Sequence, residues 1–454
     1  MNTSFFGELL QSISDRGRAL LDRGRERRGD DASRSESLIE LCEHLLSGRG
    51  EASGVALARE ILGRYAELTT GPRIAFFEAL AQRYGTDPAR MEQAINAWRD
   101  NPDDETASQV HAASEPRRQE LFRRLNLAPG GTRALVRMRE QLMDVLPNRA
   151  DLSAVDDDFV HLFTSWFNRG FLVLRHIDWS TPALILEKLI RYEAVHEIHD
   201  WDDLRRRTDP PDRRCYAFFH PALVDEPLIF VEVALTRDIP AAIAPILASG
   251  RETVELEKAR TATFYSISNC QRGLAGVSFG NFLIKQVVEE ICRELPKIST
   301  LVTLSPAPTF AKWLARERAQ ENSPAISEAD KTVLAALDEP GWWVDNEKIE
   351  ALRDPMMRAA SYYYLRARSK RGVPVDPVAR FHLGNGARLE RIDWLADVSE
   401  KGIAQSYGLM VNYLYDLDDI EKNHEAFAEQ RTVVASSTVQ RMLRPALELV
   451  PIAG

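Results

Sequence analysis

ATFYSISNCQRGLAGVSFGNFLIKQVVEEICREL, residues 262–295, is the stretch whose reading decides the fold. Its opening, Ala262–Ile267, is rich in aromatic and β-branched residues and predicts a strand. Gly273, Gly276 and Gly280 then punctuate a connection. From Gly280 onward the apolar residues Leu283, Val287, Val288, Ile291 and Leu295 share one helical face. A strand feeding a glycine-rich loop at a helix N-terminus offers free backbone N–H groups and a positive dipole end. That arrangement suits a phosphate or pyrophosphate, and glycines let the backbone approach it closely. The loop is therefore read as the cradle of a phosphorylated ligand.

Three other readings fit glycine-rich loops of this kind. A dinucleotide fingerprint needs G-x-G-x-x-G and an acidic residue about 20 positions on. The spacing here differs, and the next strand, Ile298–Leu304, ends in Ser305-Pro306. A P-loop is excluded because no Gly-Lys-Ser/Thr follows the glycines. Gly276-Val277-Ser278-Phe279-Gly280 matches the G-x-S-x-G of a hydrolase nucleophile elbow. An elbow's strand runs straight into its first glycine, whereas here Asn269–Gly273 intervenes. A glycine-rich turn without a ligand is the plain alternative.

Around this stretch the 454 residues divide by pattern. Residues 1–168 read as a helical bundle. Apolar spacing near 3.6 predicts helices over Glu36–Leu46, Ala52–Leu68, Ile74–Tyr84, Asp87–Trp98, Gln109–Leu125, Arg133–Leu146 and Asp157–Asn168. Such a module is a scaffold or an oligomerisation element. Residues 169–454 mix strands and helices. Cys215–Phe219, Leu228–Leu235, Ala262–Ile267, Ile298–Leu304 and Leu409–Asp416 read as strands. Helices are expected over Ala183–Ile198, Ala241–Leu247, Gly280–Leu295, Phe310–Ala319, Glu328–Leu337 and Asn346–Ala367, with a helical C-terminal tail. The class is α+β: a helical bundle followed by an α/β catalytic domain.

A net charge of −10 argues against a nucleic-acid partner and leaves an anionic ligand to be held by local features. Four cysteines without a C-x-x-C pair suit a reducing, cytoplasmic compartment and indicate neither a disulfide framework nor a zinc site. His196 and His199 lack a third ligand at a diagnostic spacing, so no metal is expected. No apolar run reaches the roughly 18–20 residues that span a bilayer, and no membrane partner is expected. Trp342-Trp343 and Tyr362–Tyr364 read as core or interface residues rather than a stacking platform.

Two residues stand out for chemistry. Ser305 lies at the carboxyl end of a buried strand, where open α/β sheets bind ligands; capping a turn is the alternative. His382 lies in Phe381-His382-Leu383-Gly384-Asn385-Gly386-Ala387, read as an irregular loop, and is a candidate general acid or a structural histidine.

Four runs, RRCYAFFHPALVDEPLIFVEVALT (213–236), FYSISNCQRGLAGVSFGNFLIKQVV (264–288), LVTLSPAPTFAKWL (301–314) and VARFHLGNGARLERIDWLADVSEKGIAQSYGLMVNYLYDLD (378–418), resemble the malonyl-CoA decarboxylase family. The L-S-P-x-P and F-H-L-x-N-G-A segments occur in the family's order. The resemblance implies a catalytic domain of the N-acetyltransferase superfamily fold, with Ala275, Gly276, Val277, Ser278, Phe279, Gly280 and Asn281 holding coenzyme A. It implies Ser305 and His382 as catalytic residues and Tyr415 as a residue lining the substrate pocket. The implied reaction turns malonyl-CoA into acetyl-CoA and CO₂ without cofactor, since the thioester itself stabilises the enolate. His382 would protonate C2, and Ser305 would orient the carboxylate or relay a proton. A homo-oligomer, dimer or tetramer, built through the helical domain is implied as well. Where animal members carry Glu in G-V-E-L-G, this chain has Ser278. An acyl-CoA-dependent N-acyltransferase and a non-catalytic acyl-CoA-binding regulator are the alternatives.

Overall fold

The fold was analysed in a computed structural model, which describes residues 31–47, 51–277 and 283–443. Helical periodicity governs the first half as expected. The helices are α1 (Asp31–Leu46), α2 (Glu51–Ala66), α3 (Thr70–Gln82), α4 (Pro88–Asp100), α5 (Asp104–Ser114), α6 (Arg117–Asn126), α7 (Gly131–Val145) and α8 (Ser153–Trp166). The single helix expected over Gln109–Leu125 is two. Pro116 lacks an N–H and biases Glu115 away from helical angles, so α5 stops at Ser114 and α6 begins after Pro116. Phe76, Phe77, Phe122, Phe159 and Phe163 are buried in this unit, with Phe122 and Phe159 stacked 4.1 Å apart.

This helical unit also takes in two pieces of later sequence, His220–Val224 and residues 271–277. The second is the described part of the glycine loop. Gly273 is a glycine for a packing reason: a Cβ there would stand 2.1 Å from the carbonyl oxygen of Val136 on α7. Gly276 has φ +79°, a backbone conformation that side chains disfavour, with open space around its Cβ position.

The second unit is built on one mixed sheet. Its strands are β1 (Val173–Ile177), β2 (Arg213–Phe219), β3 (Pro227–Thr236), β4 (Thr261–Asn269), β5 (Thr300–Thr303), β6 (Ser305–Pro306), β7 (Arg388–Asp393) and β8 (Met410–Leu414). The order is β1-β2-β3-β4-β5-β8-β6, with β7 also pairing β8. β1 to β4 form an antiparallel ladder. β4 and β5 are parallel in register from Thr261↔Thr300 to Phe264↔Thr303, and β8 is antiparallel to β5, β6 and β7. Helices α9 (Ala183–Tyr192) and α10 (Trp201–Thr208) cover one face, packing Ile185, Leu186, Leu189 and Leu204 against Cys215, Ala217, Phe219 and Phe230. α9 stops well before the expected Ile198. Glu193 leaves helical angles, and its carboxylate accepts the backbone N–H groups of Val195 and His196 instead, both at 2.7 Å.

β3 is buried along all but its last residue and carries Glu232 near its centre. Arg207 Nη1 lies 3.3 Å from Glu232 Oε2, yet burial and the nearby Glu193 carboxylate raise the Glu232 carboxyl to about 8. Trp342, Tyr363 and Tyr364 are core residues, as expected. Among the described residues no helix is long and apolar enough to cross a membrane, and no cluster of three His, Cys, Asp or Glu side chains is placed to hold a metal ion.

Candidate active site

Ser305 follows β5 directly. The chain leaves the β4–β5 register at Thr303 and crosses to β8, where Ser305 pairs with Val411. Extended backbone puts residues two apart on one side, and Ser305 Oγ accordingly reaches Thr303 Oγ1 at 2.9 Å. Thr303 Oγ1 also accepts the backbone N–H of Tyr413 at 3.2 Å. The strand end on which Ser305 sits is thereby tied to β8.

His382 is not on a loop. It occupies the last turn of a helix, Pro377–Gly384, with Asp376 as its N-cap and Pro377 at its first position. Asp376 Oδ1 accepts the Ala379 N–H at 2.8 Å, the usual service of a capping aspartate. The Gly/Asn run that suggested a loop is the helix's exit. Gly386, at φ +83°, passes so near Ile420 that a Cβ would sit 2.1 Å from its carbonyl oxygen.

Helix end and strand end meet. His382 Nε2 lies 3.0 Å from Ser305 Oγ, and Nδ1 lies 2.8 Å from the Tyr415 hydroxyl. Tyr413, two residues before Tyr415, stacks on the imidazole with ring centres 4.6 Å apart and planes at 24°. Ser305, His382, Tyr413 and Tyr415 are all buried. The imidazole is thus fixed in plane by a ring and at each nitrogen by a hydroxyl. Burial pushes its pKa down to about 3, because charging it costs solvation that nothing nearby replaces. The same burial holds the Tyr415 phenol above its ordinary value. The resting imidazole is therefore neutral at physiological pH.

Ala275, Gly276 and Val277 belong to the helical unit, where Arg139 Nη1 donates to the carbonyls of Gly273 at 2.9 Å and Ala275 at 2.8 Å. Arg139 is itself held by Asp156 at 2.8 Å. Ser278, Phe279, Gly280 and Asn281 lie outside the described residues.

Thr303, Tyr413 and Asp376 did not emerge from the sequence. The T-x-S and Y-x-Y spacings on extended chain were the available signal for the first two. The Asp-Pro pair that opens the His382 helix was the signal for the third.

Comparison with known proteins agrees over most of the chain. Residues 170–451 match the family model described as malonyl-CoA decarboxylase C-terminal domain, and residues 84–167 match that of the malonyl-CoA decarboxylase N-terminal domain. A mitochondrial malonyl-CoA decarboxylase of the goose Anser anser anser is 37% identical over 416 residues, covering 84% of this chain and 82% of that protein. The corresponding rat protein is 33% identical over 434 residues, covering 88% of this chain and 84% of its own. Among solved structures, malonyl-CoA decarboxylase from Rhodopseudomonas palustris is 59% identical with a TM-score of 0.88, covering 90% of this chain and 99% of that one. The Agrobacterium vitis structure is 54% identical with a TM-score of 0.87, covering 90% and 100%.

Proposed function

The chain belongs to the malonyl-CoA decarboxylase family, and from that premise we propose that it converts malonyl-CoA to acetyl-CoA and CO₂ at Ser305, His382 and Tyr415. The observation that carries the reading is the buried hydrogen bond between Ser305 Oγ and His382 Nε2.

The chemistry is balanced by a single proton. The C2–carboxylate bond breaks, its electron pair passes into an enolate spread over C2 and the thioester oxygen, and C2 takes one proton from solvent stock. A neutral imidazole is a poor acid, so the imidazole must first take up a proton from solvent as the substrate binds. The malonyl carboxylate brings a negative charge into a site that desolvates cations, and an opposite charge raises the proton affinity of an imidazole. His382 takes up one proton as the carboxylate binds. It returns that proton to C2, directly or through the Ser305 hydroxyl, once CO₂ has carried the carboxylate away. Ser305 and Tyr415 orient the imidazole meanwhile, and a site closed to water strengthens both effects.

The mixed sheet carrying the centre is read as an N-acetyltransferase-like fold, with residues 275–281 cradling the CoA pyrophosphate. We assign residues 169–454 to catalysis and residues 1–168 to assembly of a homo-oligomer. A reducing, cytoplasmic setting fits four cysteines that are all free thiols.

The test is CO₂ release by His382→Asn and Ser305→Ala, with acetyl-CoA binding as the control. His382→Asn is expected to lose about 10²–10⁴-fold in kcat. Ser305→Ala should lower kcat/KM by more than about threefold, with acetyl-CoA affinity unchanged in both. Near-normal kcat in His382→Asn would overturn the assignment.

A further inference from the structure

We infer that Thr309, Tyr363 and Asp376 form a positioning device that sets the Ser305–His382 contact, an inference that rests on reading that contact as the reacting centre. Four residues beyond Ser305 the chain reaches Thr309, which opens the helix Phe310–Ala319. Thr309 Oγ1 lies 2.6 Å from the hydroxyl of Tyr363, which sits on a third element, the helix Asn346–Leu365. The Tyr363 hydroxyl donates to Asp376 Oδ2 at 3.1 Å. The other oxygen of Asp376 caps the helix whose last turn carries His382. The circuit closes through the 3.0 Å contact from His382 back to Ser305.

The direction of each bond follows from the groups. Asp376, ionised above its raised pKa of about 6, only accepts, so the phenol donates to it. That leaves the phenol oxygen to accept from Thr309. Tyr363 itself cannot shift: its ring is buried against Phe310 at 5.3 Å and Trp313 at 4.9 Å. Burying a carboxylate and a phenol costs free energy unless both are satisfied, and phenylalanine would fill the same space without either demand. What the polar pair adds over an apolar core is direction. It fixes where the strand-end segment carrying Ser305 stands against the helix carrying His382. Asp376, Tyr363 and Thr309 are positioning residues; they touch no reacting atom.

Tyr363→Phe and Thr309→Val cut the circuit at one joint each while keeping side-chain volume. Each is expected to lower kcat about tenfold, the scale of one well-placed hydrogen bond, with KM for malonyl-CoA and affinity for acetyl-CoA within about twofold of wild type. In a Ser305→Ala background Tyr363→Phe should cost nothing further, because a device that acts through Ser305 has nothing left to position. A merely structural tyrosine would give the same loss in both backgrounds. Wild-type kcat in both single variants, a loss confined to KM, or full additivity with Ser305→Ala would overturn the inference. Wild-type turnover run alongside separates the two levels. No decarboxylation by the wild type removes the reading of the centre and this inference with it, whereas normal wild-type turnover with unaffected variants removes the inference alone.

Discussion

The Tyr415 hydroxyl stands 2.8 Å from Nδ1 of His382, on the side of the imidazole away from Ser305. A neutral imidazole has one N–H, so its two hydroxyl neighbours decide together which nitrogen carries it. If Tyr415 donates to Nδ1, the ring's own proton lies at Nε2, facing Ser305. That tautomer readies the side on which the reaction needs a proton, and the strand-end tyrosine becomes its determinant.

Tyr415→Phe removes that donor without emptying the pocket. We expect kcat to fall about tenfold with acetyl-CoA binding intact, since one hydrogen bond to an otherwise unchanged imidazole is at stake. Steady-state kinetics beside an acetyl-CoA titration check this. Unchanged kcat would mean that Ser305 alone sets the tautomer.

Arg139 gives a separate handle on the glycine loop, because its guanidinium holds two loop carbonyls at once. Lysine keeps the charge opposite Asp156 but lacks the planar fork. Arg139→Lys should therefore raise KM for malonyl-CoA about tenfold, by loosening residues 273–275, and leave kcat nearly unchanged. A normal KM would separate this loop from CoA binding.

The strand-loop-helix of residues 262–295 was legible because its cues are local. Aromatic and β-branched content marks β4, and apolar spacing marks the helix found over Leu283–Glu294. β7 was missed: Arg388–Asp393 carries more charge than apolar area, and its strand character comes from pairing with β8, a tertiary fact. His382 was misplaced on a loop because the glycines after it were weighed more than the Asp-Pro start before it. Gly273 has a packing reason that no local cue announces: the backbone of Val136 leaves no room for a Cβ. The Ser305–His382 contact joins residues 77 apart in sequence, and no spacing rule reaches so far. It could be anticipated only through family resemblance.

Glu232 predicts a pH dependence of stability. Its folded pKa of about 8 lies above its ordinary 4.5, so between those values the native state binds the proton that the unfolded chain releases. That contribution is present at low pH and is lost as pH rises through 8. Glu232→Gln, which cannot ionise, should lose less melting temperature than wild type between pH 6 and pH 9. Thermal melts at both pH values test it, and parallel slopes would place the charged carboxylate comfortably in the core.

The most direct measurement is the fate of malonyl-CoA itself. Purified protein is incubated with it, without added metal or cofactor, and the CoA species are weighed by mass spectrometry while CO₂ is trapped. The account predicts acetyl-CoA and CO₂ in equal amounts, formed about 10²–10⁴-fold more slowly by His382→Asn. Malonyl-CoA recovered intact, free CoA with malonate, or equal turnover by His382→Asn would contradict it.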